Sequence, residues 1–297
     1  MPGPILLFGA AGQVGSALAP ALARLGDVKC VVRADADLEE PAQLRSLVRR
    51  VAPRLIVNAA AYTAVDDAER DAERCRRVNA DAPKVLAEES ARLGAPLVHF
   101  STNYVFDGEA TEPYREDDPV SPLGVYGLTK AVGEQAVATA NPAHLILRTS
   151  GVYAKTGRNF MLRILALARE RDELQVVDDQ FVAPTSASLV AEATVAAVTA
   201  AMARGEGSHL FGTYHLTTSG ATSWLGFAER ILALDPQPET QRARRLRGTS
   251  SADFPTPARR PKNGLLNTDA FARAFDFPLP TWDDELRRTM ARLAAPV

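Results

Sequence analysis

Two short segments carry the polar groups of interest. Ser101-Thr102-Asn103-Tyr104 closes an apolar run, and Tyr126-Gly-Leu-Thr-Lys130 begins a helical pattern further on. A tyrosine and a lysine four residues apart share one helix face. A phenol is a weak acid near neutrality, with an ordinary pKa of about 10. A neighbouring ammonium stabilises the phenolate and is expected to bring proton exchange into a useful range. Thr102 adds a hydroxyl that can donate to a carbonyl oxygen while Tyr126 delivers a proton. Each feature is weak alone. A strand-end threonine usually satisfies the backbone, and most Tyr-x-x-x-Lys pairs are ordinary helix surface.

The context that strengthens them lies near the start, in Gly9-Ala-Ala-Gly12-Gln13-Val14-Gly15. This loop follows a strand and opens a helix, so its glycines permit a tight turn and close backbone approach. The free N–H groups of the helix start favour a pyrophosphate. The spacing is GxxGxxG rather than GxGxxG, a variant associated with short-chain dehydrogenase folds. After the second strand, Arg33 to Leu38 is placed for the adenosine ribose. Arg33 would pair with a 2′-phosphate, whereas Asp35 or Asp37 would accept from a free 2′-hydroxyl. Because Arg33 comes first, NADPH is the expected cofactor and NADH the alternative. Ala59, Ala60 and Ala61 follow the third strand, where small side chains let a flat ligand lie against the backbone.

The elements that must hold these groups alternate regularly. Strands are expected at 5–8, 28–32, 55–58, 97–101 and 145–148. Helices are expected at 13–25, 41–51, 66–93 with a break near Pro83, and 125–140. Runs without polar alternation suit strands buried on both faces, and the βα rhythm implies a doubly wound parallel sheet. The fold class is therefore α/β, with residues 1–150 as a dinucleotide-binding Rossmann domain. Residues 151–297 lose the rhythm and read mainly as a smaller, sequence-interleaved substrate lobe. Within them, a strand at 175–177 and a helix at 186–202 are expected to return to the first sheet, so 174–204 is assigned there.

The chain has 297 residues, 46% hydrophobic and 24% charged, with a formal net charge of −2. That balance gives no reason to expect nucleic-acid or membrane partners. Cys30 and Cys75 are the only cysteines, too few for a disulfide framework, and the four histidines lack ligand spacing, so no metal site is expected. The run Ile5–Phe8 is too short for a signal peptide. A cytoplasmic monomer or homodimer is the resulting expectation.

Longer matches narrow the reading. Val78-Asn-Ala-Asp-Ala-Pro83, Ser101-Thr-Asn-Tyr-Val-Phe-Asp-Gly108, Ser121-Pro-Leu-Gly-Val-Tyr-Gly-Leu-Thr-Lys130, Ala183-Pro-Thr185, Thr222-Ser-Trp224 and Arg259-Arg-Pro-Lys-Asn263 resemble the dTDP-4-dehydrorhamnose reductase family, extended members of the short-chain dehydrogenase/reductase superfamily. The resemblance spans nearly the whole chain. It implies NAD(P)H-dependent reduction of a dTDP-linked 4-keto sugar. Tyr126 would be the proton donor, Lys130 its activator and ribose ligand, and Thr102 the hydroxyl that orients the carbonyl. It also implies a substrate site including Asn103, Tyr104, Asn159, Trp224 and Arg260, the last facing the diphosphate. The chain departs from the family pattern at Asn103, where an aspartate is usual, and at Gly151, where a tryptophan is usual. Ala17 replaces a glutamate linked in some members to a magnesium-bridged dimer. A reductase of another 4-keto sugar is the nearest alternative. A non-catalytic nucleotide-binding subunit is the more distant one, and it would have no need of the Thr102, Tyr126 and Lys130 set.

Overall fold

The computed structural model describes residues 3–205 and 207–294. Six parallel strands form the main sheet. In chain order they are β1 (Ile5–Phe8), β2 (Val28–Val31), β3 (Leu55–Asn58), β4 (Leu97–Thr102), β5 (His144–Thr149) and, much later, a strand at Gly212–His215. Their spatial order is β2-β1-β3-β4-β5 followed by that late strand. Between the early strands run α1 (Gln13–Leu22), α2 (Pro41–Val51), α3 (Val65–Ala68), α4 (Ala72–Arg76), α5 (Ala82–Arg92) and α6 (Val125–Ala140). The chain moves from β1 outward to β2, then crosses back to place β3 on the other side of β1. That reversal opens a crevice beyond the carboxyl ends of β1 and β3, where ligands bind in open α/β sheets.

Successive residues of β1 show why the strands are apolar throughout. Ile5 and Leu7 enter one core with Leu18, Leu22 and Val190, whereas Leu6 and Phe8 enter another with Leu44, Leu86 and Val137. Both faces are thus covered by helices. Full burial of each such side chain contributes roughly 1.5–3 kcal/mol.

The second half supplies α7 (Phe160–Glu170), β6 (Glu173–Val177), β7 (Phe181–Val182), α8 (Ala187–Ala203), β8 (Gly212–His215), β9 (Thr222–Ser223), α9 (Trp224–Ala233), β10 (Arg245–Thr249), α10 (Asp269–Phe275) and α11 (Trp282–Ala294). A third core joins Tyr153, Met161, Ile164, Phe227, Ile231, Leu286 and Met290. The expectation that 175–177 joins the main sheet is corrected: β6 pairs with β10 in a separate two-stranded sheet. Its exposed Glu173 and Gln175 alternate with buried Leu174 and Val176, which suits a sheet covered on one face only. The sixth place belongs to β8, parallel to β5, while α8 does pack on the main core through Val190, Ala197 and Val198.

The helical stretch expected at 66–93 is interrupted at 69–71 and again by a π-helical turn at Arg77–Asp81. Pro83 sits in the first turn of α5, where its missing N–H is harmless. Among the described residues no helix is long and apolar enough to cross a membrane.

Candidate active site

The glycine loop is shaped for close approach. Gly9 has φ +76°, and a Cβ there would lie 2.6 Å from the Ala60 backbone nitrogen. A Cβ on Gly15 would lie 2.0 Å from the Gly9 carbonyl oxygen. Only hydrogen fits at either position, so α1 starts directly against the ends of β1 and β3. Gly12 precedes its first turn without a side-chain cap, leaving N–H groups available to an anion. Gln13 donates from Nε2 to the Arg158 carbonyl, 3.2 Å away, and Val14 packs on the core beneath the loop.

A cleft of about 240 Å³ continues from this loop, lined by Phe8, Gly9, Arg33, Asp37, Leu38, Ala60, Ala61 and Arg74. The cradle and cleft together fit a dinucleotide. At the rim, Arg33 binds Asp37 at 3.0 Å and Glu39 at 3.1 Å. Glu39 also holds Arg74 and Arg77, so three guanidinium groups face two carboxylates. The Asp37 carboxyl lies below its ordinary pKa, chiefly because it accepts from the Glu39 backbone N–H, with Arg33 adding to the effect.

Asn79 was not singled out from sequence, although it lies within the Val78–Pro83 match. The π-helical turn aims it inward. Its Oδ1 accepts from the Tyr62 N–H at 2.8 Å, and its Nδ2 donates to the Tyr62 carbonyl at 3.0 Å. The loop after β3 is thereby fastened. A Cβ on Gly133 would lie 2.1 Å from the Asn79 carbonyl oxygen, so α6 is seated tightly on the same turn. A buried ion pair, Glu134 to Arg148 at 2.7 Å, fixes α6 to β5.

Thus seated, α6 presents Tyr126 and Lys130 toward the end of β4. Thr102 ends that strand, and its hydroxyl accepts from the Tyr104 N–H at 3.2 Å and lies 3.4 Å from Asn103 Oδ1. Tyr104 meets Tyr126 edge to face, with ring centroids 5.5 Å apart. Burial pushes the Tyr126 phenol well above its ordinary value, and the facing Thr102 hydroxyl only partly offsets this. The expected depression by Lys130 does not occur in this state. Lys130 is 2% exposed, and its Nζ donates to the Phe100 carbonyl at 2.6 Å and lies 3.3 Å from His99 Nε2. Burial lowers the amine to about 8.

Beyond the two tyrosines opens a cleft of about 700 Å³. Tyr104, Trp224 and Arg260 line it, with Phe160 and the Arg259 and Lys262 that flank Arg260 in the basic segment; Arg163, Gln180 and Phe254, which the sequence did not single out, line it as well. Arg260 is held by Asp66 at 2.8 Å, so the exposed Arg163, Arg259 and Lys262 are the freer cations. Asn159 is engaged elsewhere: its Oδ1 caps α7 by accepting from Leu162 N–H at 3.0 Å, and its Nδ2 donates to the Ala154 carbonyl at 2.8 Å. Gly151 has φ +55°, and a Cβ there would lie 3.7 Å from the Trp224 ring. The Trp224 indole therefore stands beside the space left by the missing aromatic side chain.

A doubly wound sheet with a glycine cradle at its reversal point, and a Thr–Tyr–Lys set at the next strand end, defines an extended short-chain dehydrogenase/reductase. Comparison with known proteins narrows the class. The family profile described as RmlD substrate binding domain matches residues 3–295. A dTDP-4-dehydrorhamnose reductase of Burkholderia thailandensis is 44% identical over 282 residues, covering 94% of this chain and 95% of that protein. The crystal structure of a dTDP-4-dehydrorhamnose reductase from Clostridium acetobutylicum superposes with a TM-score of 0.90 at 32% identity, covering 98% of this chain and all of that one. A Bacillus anthracis dTDP-4-dehydrorhamnose reductase in complex with NADP has a TM-score of 0.86 at 31% identity, with 98% and 100% coverage. The chain belongs to the dTDP-4-dehydrorhamnose reductase family.

Proposed function

We propose that this protein reduces the 4-keto group of dTDP-4-dehydro-L-rhamnose to give dTDP-L-rhamnose, with NADPH as the preferred cofactor. The observation that carries the reading is convergence: Thr102, Tyr104, Tyr126 and buried Lys130 meet at one strand end between the glycine cradle and the larger cleft. The cofactor would lie on Gly9, Gly12 and Gly15, with its adenosine against Leu38, Ala60 and Ala61 and a 2′-phosphate against Arg33. When bound, it supplies the hydride that reduces the carbonyl carbon.

The protein groups handle the oxygen. Thr102 Oγ1 donates to the carbonyl oxygen and orients it. Tyr126 then passes its phenolic proton to that oxygen as negative charge develops. A phenol raised by burial stays protonated until the developing alkoxide demands the proton, which suits a reductase. Lys130 fixes the nicotinamide ribose and, when protonated, stabilises the phenolate left behind. The diphosphate would face Arg163, Arg259 and Lys262, and the thymine would pack among Phe160, Trp224 and Phe254.

The test is NADPH oxidation, followed by absorbance, with freshly generated dTDP-4-dehydro-L-rhamnose and NMR of the product. Tyr126→Phe should lower turnover by at least about a hundredfold while cofactor binding survives. Turnover close to wild type in that variant would remove Tyr126 from its role. Gly151 favours one further reading, another 4-keto-6-deoxy sugar, which would appear in the same assay as faster turnover on a different member of a substrate panel.

A further inference from the structure

Behind Lys130 lies a buried polar chain that the proton-transfer step does not use. His99 is 0% exposed and Asn58 1%. His99 Nε2 lies 3.3 Å from Lys130 Nζ, and His99 Nδ1 lies 3.2 Å from Asn58 Nδ2. At the far end, Asn58 Oδ1 accepts the Ala60 N–H at 3.2 Å.

The directions along this chain follow from its ends. A backbone N–H can only donate, so the Asn58 oxygen faces Ala60 and the Asn58 NH₂ faces His99. Nδ1 of His99 must therefore accept, which places the single proton of the neutral ring on Nε2. That N–H points at Lys130 Nζ. A neutral amine accepts it and still donates to the Phe100 carbonyl. An ammonium can only donate, so two donors would then oppose each other in a site closed to water.

We propose that His99, oriented by Asn58, is a positioning residue that sets both the direction and the proton affinity of the Lys130 amine. The proposal rests on the role assigned to Lys130 above. Other groups face the same amine. Glu134, one turn along α6, favours the ammonium but is already paired with Arg148. Cys75, from α4, is held as the thiol by burial, and its Sγ lies 3.2 Å from Thr129 Oγ1. His99 itself is driven well below its ordinary pKa by burial and by Lys130, so it stays neutral and acts through its tautomer.

The design couples two functions. The loop after β3, against which the cofactor would lie, begins at Ala59 and Ala60. The same Ala60 N–H sets the Asn58 amide, and through it the histidine tautomer beside the reactive lysine.

The first test needs no substrate. With only four histidines in the chain, selective ¹⁵N-histidine labelling gives resolvable ring signals. His99 is expected as the neutral Nε2–H tautomer from pH 5 to pH 9, and an Nδ1–H tautomer or an imidazolium would overturn the proposal. In Asn58→Asp the carboxylate accepts from Nδ1, the tautomer switches, and Nε2 becomes an acceptor for the ammonium. The alkaline limb of kcat/KM should then move up by at least one pH unit; an unmoved limb in folded Asn58→Asp would overturn the proposal. His99→Gln, which can present either end of its amide, should keep kcat within about tenfold of wild type. His99→Leu should lose a further tenfold or more in kcat with KM for the keto sugar within twofold. Equal kcat in the two variants would reduce His99 to packing. Failure of turnover on every keto sugar with the Nε2–H tautomer present would instead count against the proposed reaction.

Discussion

Replacing Lys130 by methionine should abolish catalysis and yet remove a pH-dependent burden from the fold. The amine falls from an ordinary 10.5 to about 8 on burial. At about 1.36 kcal/mol per pH unit, holding it protonated in the folded state costs about 3 kcal/mol near pH 7. The sign follows from proton counting. Between pH 8 and 10.5 the unfolded chain binds more protons at this site than the folded one, so stability rises with pH across that window. Below pH 8 the full penalty applies. Methionine is similar in length, carries no charge and loses the hydrogen bond to Phe100, a loss of roughly 1–3 kcal/mol that does not vary with pH. The absolute difference at pH 7 is therefore small and favours the variant. The change in that difference between pH 7 and pH 10 isolates the titration and should be about 2 kcal/mol. Urea unfolding of both proteins at the two pH values, with m-values compared, measures it. A stability difference that is the same at pH 7 and pH 10 would refute a depressed lysine and, with it, the argument that burial controls this group.

Three further outcomes are expected. Gly15→Ala places a methyl 2.0 Å from the Gly9 carbonyl, so the loop must shift; dinucleotide affinity should fall at least about tenfold by titration calorimetry while circular dichroism is retained. Arg33→Ala removes the exposed guanidinium at the ribose rim, and NADPH should bind about tenfold more weakly while NADH changes by less than about twofold. Glu134→Ala leaves Arg148 buried without its carboxylate, which should cost about 3–5 kcal/mol in chemical denaturation and loosen α6.

Much of this was legible in the residues, and the failures have physical causes. The strands Ile5–Phe8 and Leu55–Asn58 announce themselves because burial on both faces demands unbroken apolar runs. Gly212–His215 does not, because Gly-Thr-Tyr-His contains no such run; its place is decided by pairing with β5. Asn159 entered the substrate site through the family resemblance, but an asparagine ahead of an apolar helix is equally a cap, and only the contact to Leu162 decides. The expected depression of the Tyr126 phenol followed from its spacing to Lys130. Spacing says nothing of burial, or of the competing acceptor on Phe100. His99 and Asn79 drew no functional assignment because their meaning comes from partners 31 and 17 positions away.

The path of the backbone between the two parts has a consequence for how this fold can diversify. After β5 the chain enters the third core through Tyr153 and α7, returns to the main sheet with α8 and β8, and leaves again for α9 and β10. It comes back once more with Phe271 and Phe275 of α10 and then returns to the third core with Leu286 and Met290 of α11. No single pair of cuts could lift out the substrate side and leave the six-stranded sheet whole. Exchange of one contiguous segment would therefore remove residues from both cores at once. A change of sugar preference that keeps both cores whole is therefore a matter of substitutions along the cleft wall, at positions such as Gly151 and Trp224.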